Sequence, residues 1–189
     1  MSRQRLLALV FLGVALVQIA LPAGRIWLYE RTLREGQVFK FRTAPVDPSD
    51  AFRGRYVTLR FEASDAAWTA NEPPPFGTKV WVGVAQGTDG FAHFTSASSK
   101  RPAEGDFLEL RTSYGGAPGR VALELPFDRF YMEESAAPNA ERLYAERNRR
   151  GGARDTYAAV RIRNGRGAIE QVFVGDKPLA EAAKEIGAK

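Results

Sequence analysis

The run Val46-Asp-Pro-Ser-Asp-Ala-Phe-Arg-Gly-Arg-Tyr-Val-Thr-Leu-Arg-Phe61 decides how the chain is read. Its first half is turn chemistry. Pro45 and Pro48 fix φ and remove donors, while Asp47, Ser49 and Asp50 carry short side chains that hydrogen-bond nearby backbone amides. Its second half alternates: Val57, Leu59 and Phe61 fall on one face, and Tyr56, Thr58, Arg60 and Glu62 on the other. That is the pattern of a half-buried strand at period two. Gly54, just ahead of it, marks a backbone conformation that a side chain resists or a close approach of another chain segment.

Working outward, Val38–Arg42 alternates as a strand before this run, and strand patterns dominate after it. Ser64–Gly77, with Pro73-Pro74-Pro75, reads as a long connection holding one helical turn near Asp65–Trp68. Thr78–Gln86 is apolar on both faces and is expected in the middle of a sheet. Gly87-Thr-Asp-Gly90 turns into Phe91–Ser96; Asp106–Tyr114 and Arg120–Leu125 flank a glycine-rich turn; Arg129–Met132 is a short strand. Pro138–Arg150 is the one clear helix, with Ala140, Leu143, Tyr144 and Arg147 on one side and Gly151-Gly152 as its stop. Tyr157–Arg163 and Ala168–Val174 form a hairpin about Asn164-Gly165, and Pro178–Ile186 is a short, frayed helix. The count is roughly eight strands joined mainly as hairpins. The expected fold is mainly β with a minor α part: an antiparallel sheet, rolled or barrel-like.

Leu6–Leu21 is apolar except for Gln18; Pro22 closes the strict run, and Ala23–Tyr29 resumes it. At about 1.5 Å per residue Leu6–Tyr29 spans roughly 36 Å, enough for a bilayer core with its interface. Arg25 can snorkel, and Trp27 and Tyr29 suit the interfacial aromatic belt. Arg3 and Arg5 precede the run, which puts the N-terminus in the cytoplasm and the rest outside. A cleaved signal peptide is the competing reading, but Ala20 and Ala23 flank Leu21-Pro22 without a clean small-x-small cleavage site. The expected organisation is a cytoplasmic tip and transmembrane anchor over 1–29, a polar connector over 30–37, a β-rich domain over 38–177, and a tail or short helix over 178–189.

The chain has 189 residues, no cysteine and one histidine, His93. Disulfides, thiolate metal sites and cysteine nucleophiles are therefore excluded, and a Ser-His-Asp triad would hang on His93 alone. The net charge of +5 rests partly on Arg3, Arg5 and Arg25 beside the apolar run; the remainder is near neutral, which gives no electrostatic footprint for nucleic acid.

Gly54-Arg-Tyr-Val-Thr-Leu-Arg-Phe61, led by Asp47, Pro48, Asp50 and Arg53, resembles the bacterial family named for its GDYXXLXY motif. The motif maps onto Gly54, Arg55, Tyr56, Leu59 and Phe61, and the likeness covers most of the chain. Arg129, Phe130, Tyr131, Glu133 and Glu134, followed by a helix and a final hairpin, look like the family's second recurring region. Two positions depart from the pattern: Arg55 stands for the motif's Asp, and Phe61 for its last Tyr. The charge reversal at Arg55 argues against a base or metal ligand there. Phe61 keeps the packing and loses a hydroxyl, as a core position allows. No activity is attached to the family, so the resemblance carries none over; it implies a membrane-associated setting with a multi-pass membrane protein as partner.

The candidate sites are weighed on their own residues. Asp47, Asp50, Glu133 and Glu134 would make a carboxylate cluster for a hard cation or acid–base work. The plainer reading has Asp47 and Asp50 capping turns, and Glu133 and Glu134 solvated or paired with Arg53 or Arg129. A Ser/Lys hydrolase would draw on Ser49, Ser64, Ser96, Ser98 or Ser99 with Lys79 or Lys100, and needs a buried, deprotonated lysine. Arg142, Arg147, Arg149, Arg150 and Arg154 form a basic patch, read as a solvated helix end before a lipid site. The Trp68 and Pro73–Phe76 loop is either a binding tip or packed. No catalytic, cofactor or metal residue is assigned. The expected protein is a single-pass protein of the bacterial inner membrane, N-terminus cytoplasmic and domain periplasmic or extracytoplasmic. It is expected to act as a non-catalytic accessory or subunit of a multi-pass membrane protein. A membrane-tethered Ser/Lys-type hydrolase and an envelope ligand-binding module stand as alternatives.

Overall fold

The computed structural model describes residues 3–45, 56–149 and 151–187. Its first element, helix α1 (Arg3–Glu35), carries straight through Pro22 and through the expected connector. The apolar stretch of α1 is long enough to cross a membrane, and none of it is covered by the rest of the chain. The helix stops at Gly36, whose N–H still donates to the Thr32 carbonyl at 2.9 Å, and strand β1 (Gln37–Ala44) begins at the next residue.

The motif run then splits. Strand β2 (Tyr56–Thr58) and strand β3 (Arg60–Phe61) are separated by Leu59, and they join different sheets. Val57, Leu59 and Phe61 are all buried, so the period-two burial runs through the break. Asp65–Trp68 is strand β4, not the expected helical turn. Its alanines favour helix locally, but its backbone is held in parallel with β6 (Ala92–Ser98) and antiparallel with β8 (Arg120–Glu124), which closes a barrel. The barrel order is β4-β6-β5-β7-β8, where β5 (Lys79–Gln86) lies between β6 and β7 (Phe107–Thr112) as its two apolar faces require. The β4–β6 pair is parallel in an otherwise antiparallel barrel.

Strand β9 (Arg129–Tyr131) leads to helix α2 (Ala137–Asn148), which begins with Pro138 in its first turn and buries Ala140, Leu143, Tyr144 and Asn148. Arg147, expected on that face, is half-exposed and pairs with Asp155 at 3.0 Å; Asn148 takes the buried place. Strands β10 (Thr156–Arg163) and β11 (Arg166–Val174) form the expected hairpin. Asn164 and Gly165 both have positive φ (50° and 82°), the requirement of a two-residue turn of this kind. Strand β12 (Lys177–Pro178) and helix α3 (Leu179–Gly187) end the chain. Leu179 and Ala183 are fully buried, so this segment is docked and not frayed.

A five-stranded sheet, β12-β11-β10-β1-β3, thus lies against the barrel. The two are joined by an aromatic cluster. Phe41 of β1 lies 6.0 Å from Phe61, 5.8 Å from Phe94 and 5.9 Å from Phe127, and Phe61 lies 5.6 Å from Phe127. Each such ring contributes about 1.5–3 kcal/mol by burial alone. The motif's last position is therefore a core position, as the loss of its hydroxyl implied.

Candidate functional site

Asp47, Pro48, Asp50, Arg53, Gly54 and Arg55 lie outside the described residues, and so does the expected Arg53–carboxylate pair. The described half of the motif finds its partner in the second recurring region. Tyr56 pairs with Tyr131, Val57 with Phe130 and Thr58 with Arg129, and the Leu59 N–H donates to the Asp128 carbonyl at 2.7 Å. Val57 and Leu59 point to the core, with Phe130 half-buried against it. The opposite face gathers Tyr56, Arg129 and Tyr131. The two tyrosine rings lie 5.4 Å apart, and the Arg129 guanidinium sits 5.2 Å from the Tyr56 ring centroid. A hydrogen bond with the Tyr131 side chain, then Tyr56 and Asp128, hold that guanidinium above its ordinary value. Tyr131 is 66% exposed. The face is an aromatic-cationic surface, and among the described residues on it no nucleophile–base pair is formed.

Glu133 and Glu134 do not build a cation site. One Glu133 oxygen accepts from the Ser135 hydroxyl at 2.9 Å and the other lies 3.8 Å from Lys184. Among the described residues no three acidic or histidine side chains are placed so as to hold a metal ion. Lys79 is exposed and pairs with Glu109 at 2.7 Å, which removes it as the buried base of a Ser/Lys dyad; Lys100 is also exposed. His93 is exposed on β6 and lines a groove of about 420 Å³ with Arg42, Glu62, Asp65, Asp89 and Arg120. Both guanidiniums there are already engaged: Arg120 with Asp65, and Arg42 with Asp89 at 3.4 Å while stacking 3.8 Å above Phe91. The Phe91 N–H, and then Arg42, hold the Asp89 carboxyl below its usual range. In the basic patch Arg142, Arg149 and Arg154 are exposed and Arg147 is committed to Asp155; Arg150 lies outside the described residues. The Trp68 indole donates to the Glu72 carbonyl at 2.6 Å, which folds that loop back on itself. Its end carries a pair the sequence did not reveal: Phe76 and Tyr114 stack with centroids 4.0 Å apart, although both are mostly exposed.

Two side-chain constructions, the first of them buried, frame the motif. The first holds the end of β1, just ahead of residue 46. Thr43 Oγ1 lies 3.2 Å from Asn148 Oδ1 and within reach of the Thr156 hydroxyl, and Asn148 Nδ2 donates to the Tyr144 carbonyl at 3.0 Å. The Tyr144 hydroxyl reaches the Ala44 carbonyl at 3.4 Å, and burial pushes its pKa up to about 12. The second is the foot of α1. Glu35 pairs with Arg163 at 2.7 Å, and Arg161 donates to the Gly36 carbonyl at 3.0 Å. Arg161 also grips Glu170 through two nitrogens at 2.8 and 2.9 Å, a pairing that raises its pKa. Thr32 is buried and donates back to the Leu28 carbonyl.

At this foot two open grooves lie between α1 and the domain. One, of about 560 Å³, is lined by Arg25, Leu28, Tyr29 and Thr32 on the helix and by Glu109, Pro126 and Asn164–Gly167 on the domain. The other, of about 490 Å³, lies between Tyr29 and the stretch Pro126–Arg129 with Tyr131. The aromatic-cationic face of the motif thus borders the level at which the apolar helix gives way to polar chain.

A family model described as GDYXXLXY protein matches residues 18–172. Comparison with curated proteins finds no match. Comparison with solved structures finds none either.

Proposed function

The chain belongs to the GDYXXLXY family, and from that premise we propose that it is a single-pass protein of the bacterial inner membrane, with its β-domain on the periplasmic or extracytoplasmic side, acting as a non-catalytic accessory or subunit of a multi-pass membrane protein. The observation that carries the reading is the foot of α1. A helix that only localises a domain needs no fixed orientation, and a flexible linker is enough for it. Here the joint is one glycine long and clamped by Arg161 and by the Glu35–Arg163 pair. The helix and the domain therefore share one fixed azimuth, which is what a subunit needs when it must meet a partner both in the bilayer and above it. Arg3 and Arg5 ahead of the span support a cytoplasmic N-terminus, and a span that stays uncleaved acts as a signal-anchor.

The test is extraction of the tagged full chain, at native expression, in mild detergent. The expected result is co-elution with a multi-pass membrane protein in a defined ratio; a monodisperse, partnerless monomer overturns the reading.

A further inference from the structure

Gln18 is the one polar side chain between Leu6 and Leu21. It is exposed on α1, and no group of the described chain bonds it. Pro22 stands four residues on, inside the helix. Proline has no N–H, so the bond that would reach the residue-18 carbonyl is missing. One residue therefore presents a side-chain amide that no described group bonds and a backbone carbonyl that lacks its helical N–H donor. By helical rise Gln18 lies about 18 Å beyond Leu6 and about 14 Å short of Trp27, well inside a hydrocarbon core. Water does not satisfy polar groups there; neighbouring helices do.

The azimuth of this spot is fixed. At about 100° per residue, Arg25 and Tyr29 each fall within about 20° of Gln18 around the helix. Arg25 and Tyr29 also line the groove against Pro126 and Asn164–Gly167. The domain therefore overhangs the Gln18 face, and whatever seats on that face runs outward into the groove.

We propose that the Gln18–Pro22 face of α1 is the seat of a transmembrane helix of another protein, one that offers a hydrogen-bond donor at the level of Gln18 and an acidic group at the level of Arg25. The proposal rests on the accessory-subunit reading above and names its intramembrane surface. Charge selects a foreign helix over a second copy. A parallel self-pair through this face would set two Arg25 guanidiniums against each other, and Arg25 has no carboxylate partner among the described residues. A helix with an acidic group about 10 Å outward of its donor satisfies both levels at once.

The chain has no cysteine, so single cysteines can be introduced into the full-length protein without removing any. Val14→Cys and Leu21→Cys flank Gln18 on the proposed face; Leu9→Cys and Leu16→Cys lie on the opposite one. Each variant is labelled in native membranes with a benzophenone maleimide and irradiated. The expected result is one discrete adduct with a different polypeptide from Val14→Cys and Leu21→Cys and none from Leu9→Cys or Leu16→Cys. Adding Gln18→Leu should lower its yield by about three- to thirtyfold, the range for one interhelical hydrogen bond. Gln18→Leu makes the span more apolar, so a loss of insertion cannot mimic the effect. Pro22→Ala restores the helical N–H and should lower the yield in the same direction. An adduct at twice the chain mass, labelling without face dependence, or a yield indifferent to Gln18 each overturns the proposal. If a multi-pass protein still co-purifies in those cases, the accessory reading stands and only this surface is refuted; if nothing co-purifies, the reading itself has failed.

Discussion

Replacing Gly36 with alanine puts the rigidity of the foot to a direct test. Gly36 donates to Thr32 and accepts from Arg161, so both of its backbone groups are in use. A Cβ at this position would lie 2.5 Å from the Thr32 carbonyl oxygen, 3.0 Å from Arg161 Cβ and 3.1 Å from the Ile162 carbonyl oxygen. Two of those atoms are backbone and the third is fixed to it, so no rotamer change relieves the contact. The end of α1 must lift from β10, and the bond to Arg161 weakens with it. Overpacking of this kind costs about 1–3 kcal/mol, and loss of a hydrogen bond to a charged group adds about 1.5 kcal/mol. A total of about 2.5–4.5 kcal/mol in a chain of this size lowers Tm by roughly 5–18 °C. Gly13→Ala is the internal control, since nothing lies within 4 Å of the added carbon there. Both variants are melted as full-length protein in mild detergent, with the fluorescence of Trp27, Trp68 and Trp81 as the readout. Equal melting temperatures for Gly36→Ala and Gly13→Ala would refute the claim that the joint is rigid.

The other predictions concern the domain. Tyr144 holds its proton more tightly folded than unfolded, with a pKa raised to about 12 from 10.0; its contribution of about 2–3 kcal/mol is complete below about pH 10 and lost as pH rises from about 10 to 12. Tyr144→Phe should flatten that alkaline decline, checked by denaturant unfolding at pH 9 and 11.5. Asn148→Ala strips Thr43 of one of its two buried partners, leaving Thr156, and should cost about 2–4 kcal/mol, read as a lower urea midpoint. Phe61→Ala opens the aromatic cluster between sheet and barrel and should cost about 3–5 kcal/mol by the same measure. Lys79→Met breaks only an exposed pair, so its midpoint should move by less than about 1 kcal/mol.

Much of the fold was legible where local pattern and burial agree. The alternation at Val57, Leu59 and Phe61, the two apolar faces of β5 and the Asn164-Gly165 turn all needed only near neighbours. Asp65–Trp68 was misread because two alanines speak for helix, while its strand state comes from β6 and β8, distant in sequence. The same limit hid the pairing of Tyr56–Thr58 with Arg129–Tyr131: each run is short, and register between segments so far apart leaves no trace in either. The buried Thr43–Asn148–Thr156 contacts were invisible for a related reason. Threonine and asparagine are commonest on surfaces, and the docking of α2 against β10 and the end of β1 buries them. Lys79 shows the converse: an ionisable residue at the start of an apolar strand is equally compatible with a buried base and an exposed end, and the choice is made by Glu109 across the ladder.

The motif itself changes meaning once its partners are in place. Its buried residues do structural work in two sheets at once, because the chain crosses from the β2–β9 pair to the β1–β3 pair at Leu59. A segment that belongs to two sheets cannot shift register in one without breaking the other, so Tyr56–Phe61 is a fixed corner. The residues left facing out, Tyr56, Arg129 and Tyr131, then stand at a constant position relative to Tyr29 and the groove at the foot of α1. The clamped joint at Gly36 extends that constancy down the helix to Gln18. Motif face, groove and Gln18 amide thereby lie on one side of the molecule, although they lie in three separate stretches of sequence. A partner that engaged only the membrane helix would not require the clamp, and a partner that engaged only the domain would not require Gln18. The coincidence of both on one azimuth argues for one partner that meets the chain at both levels.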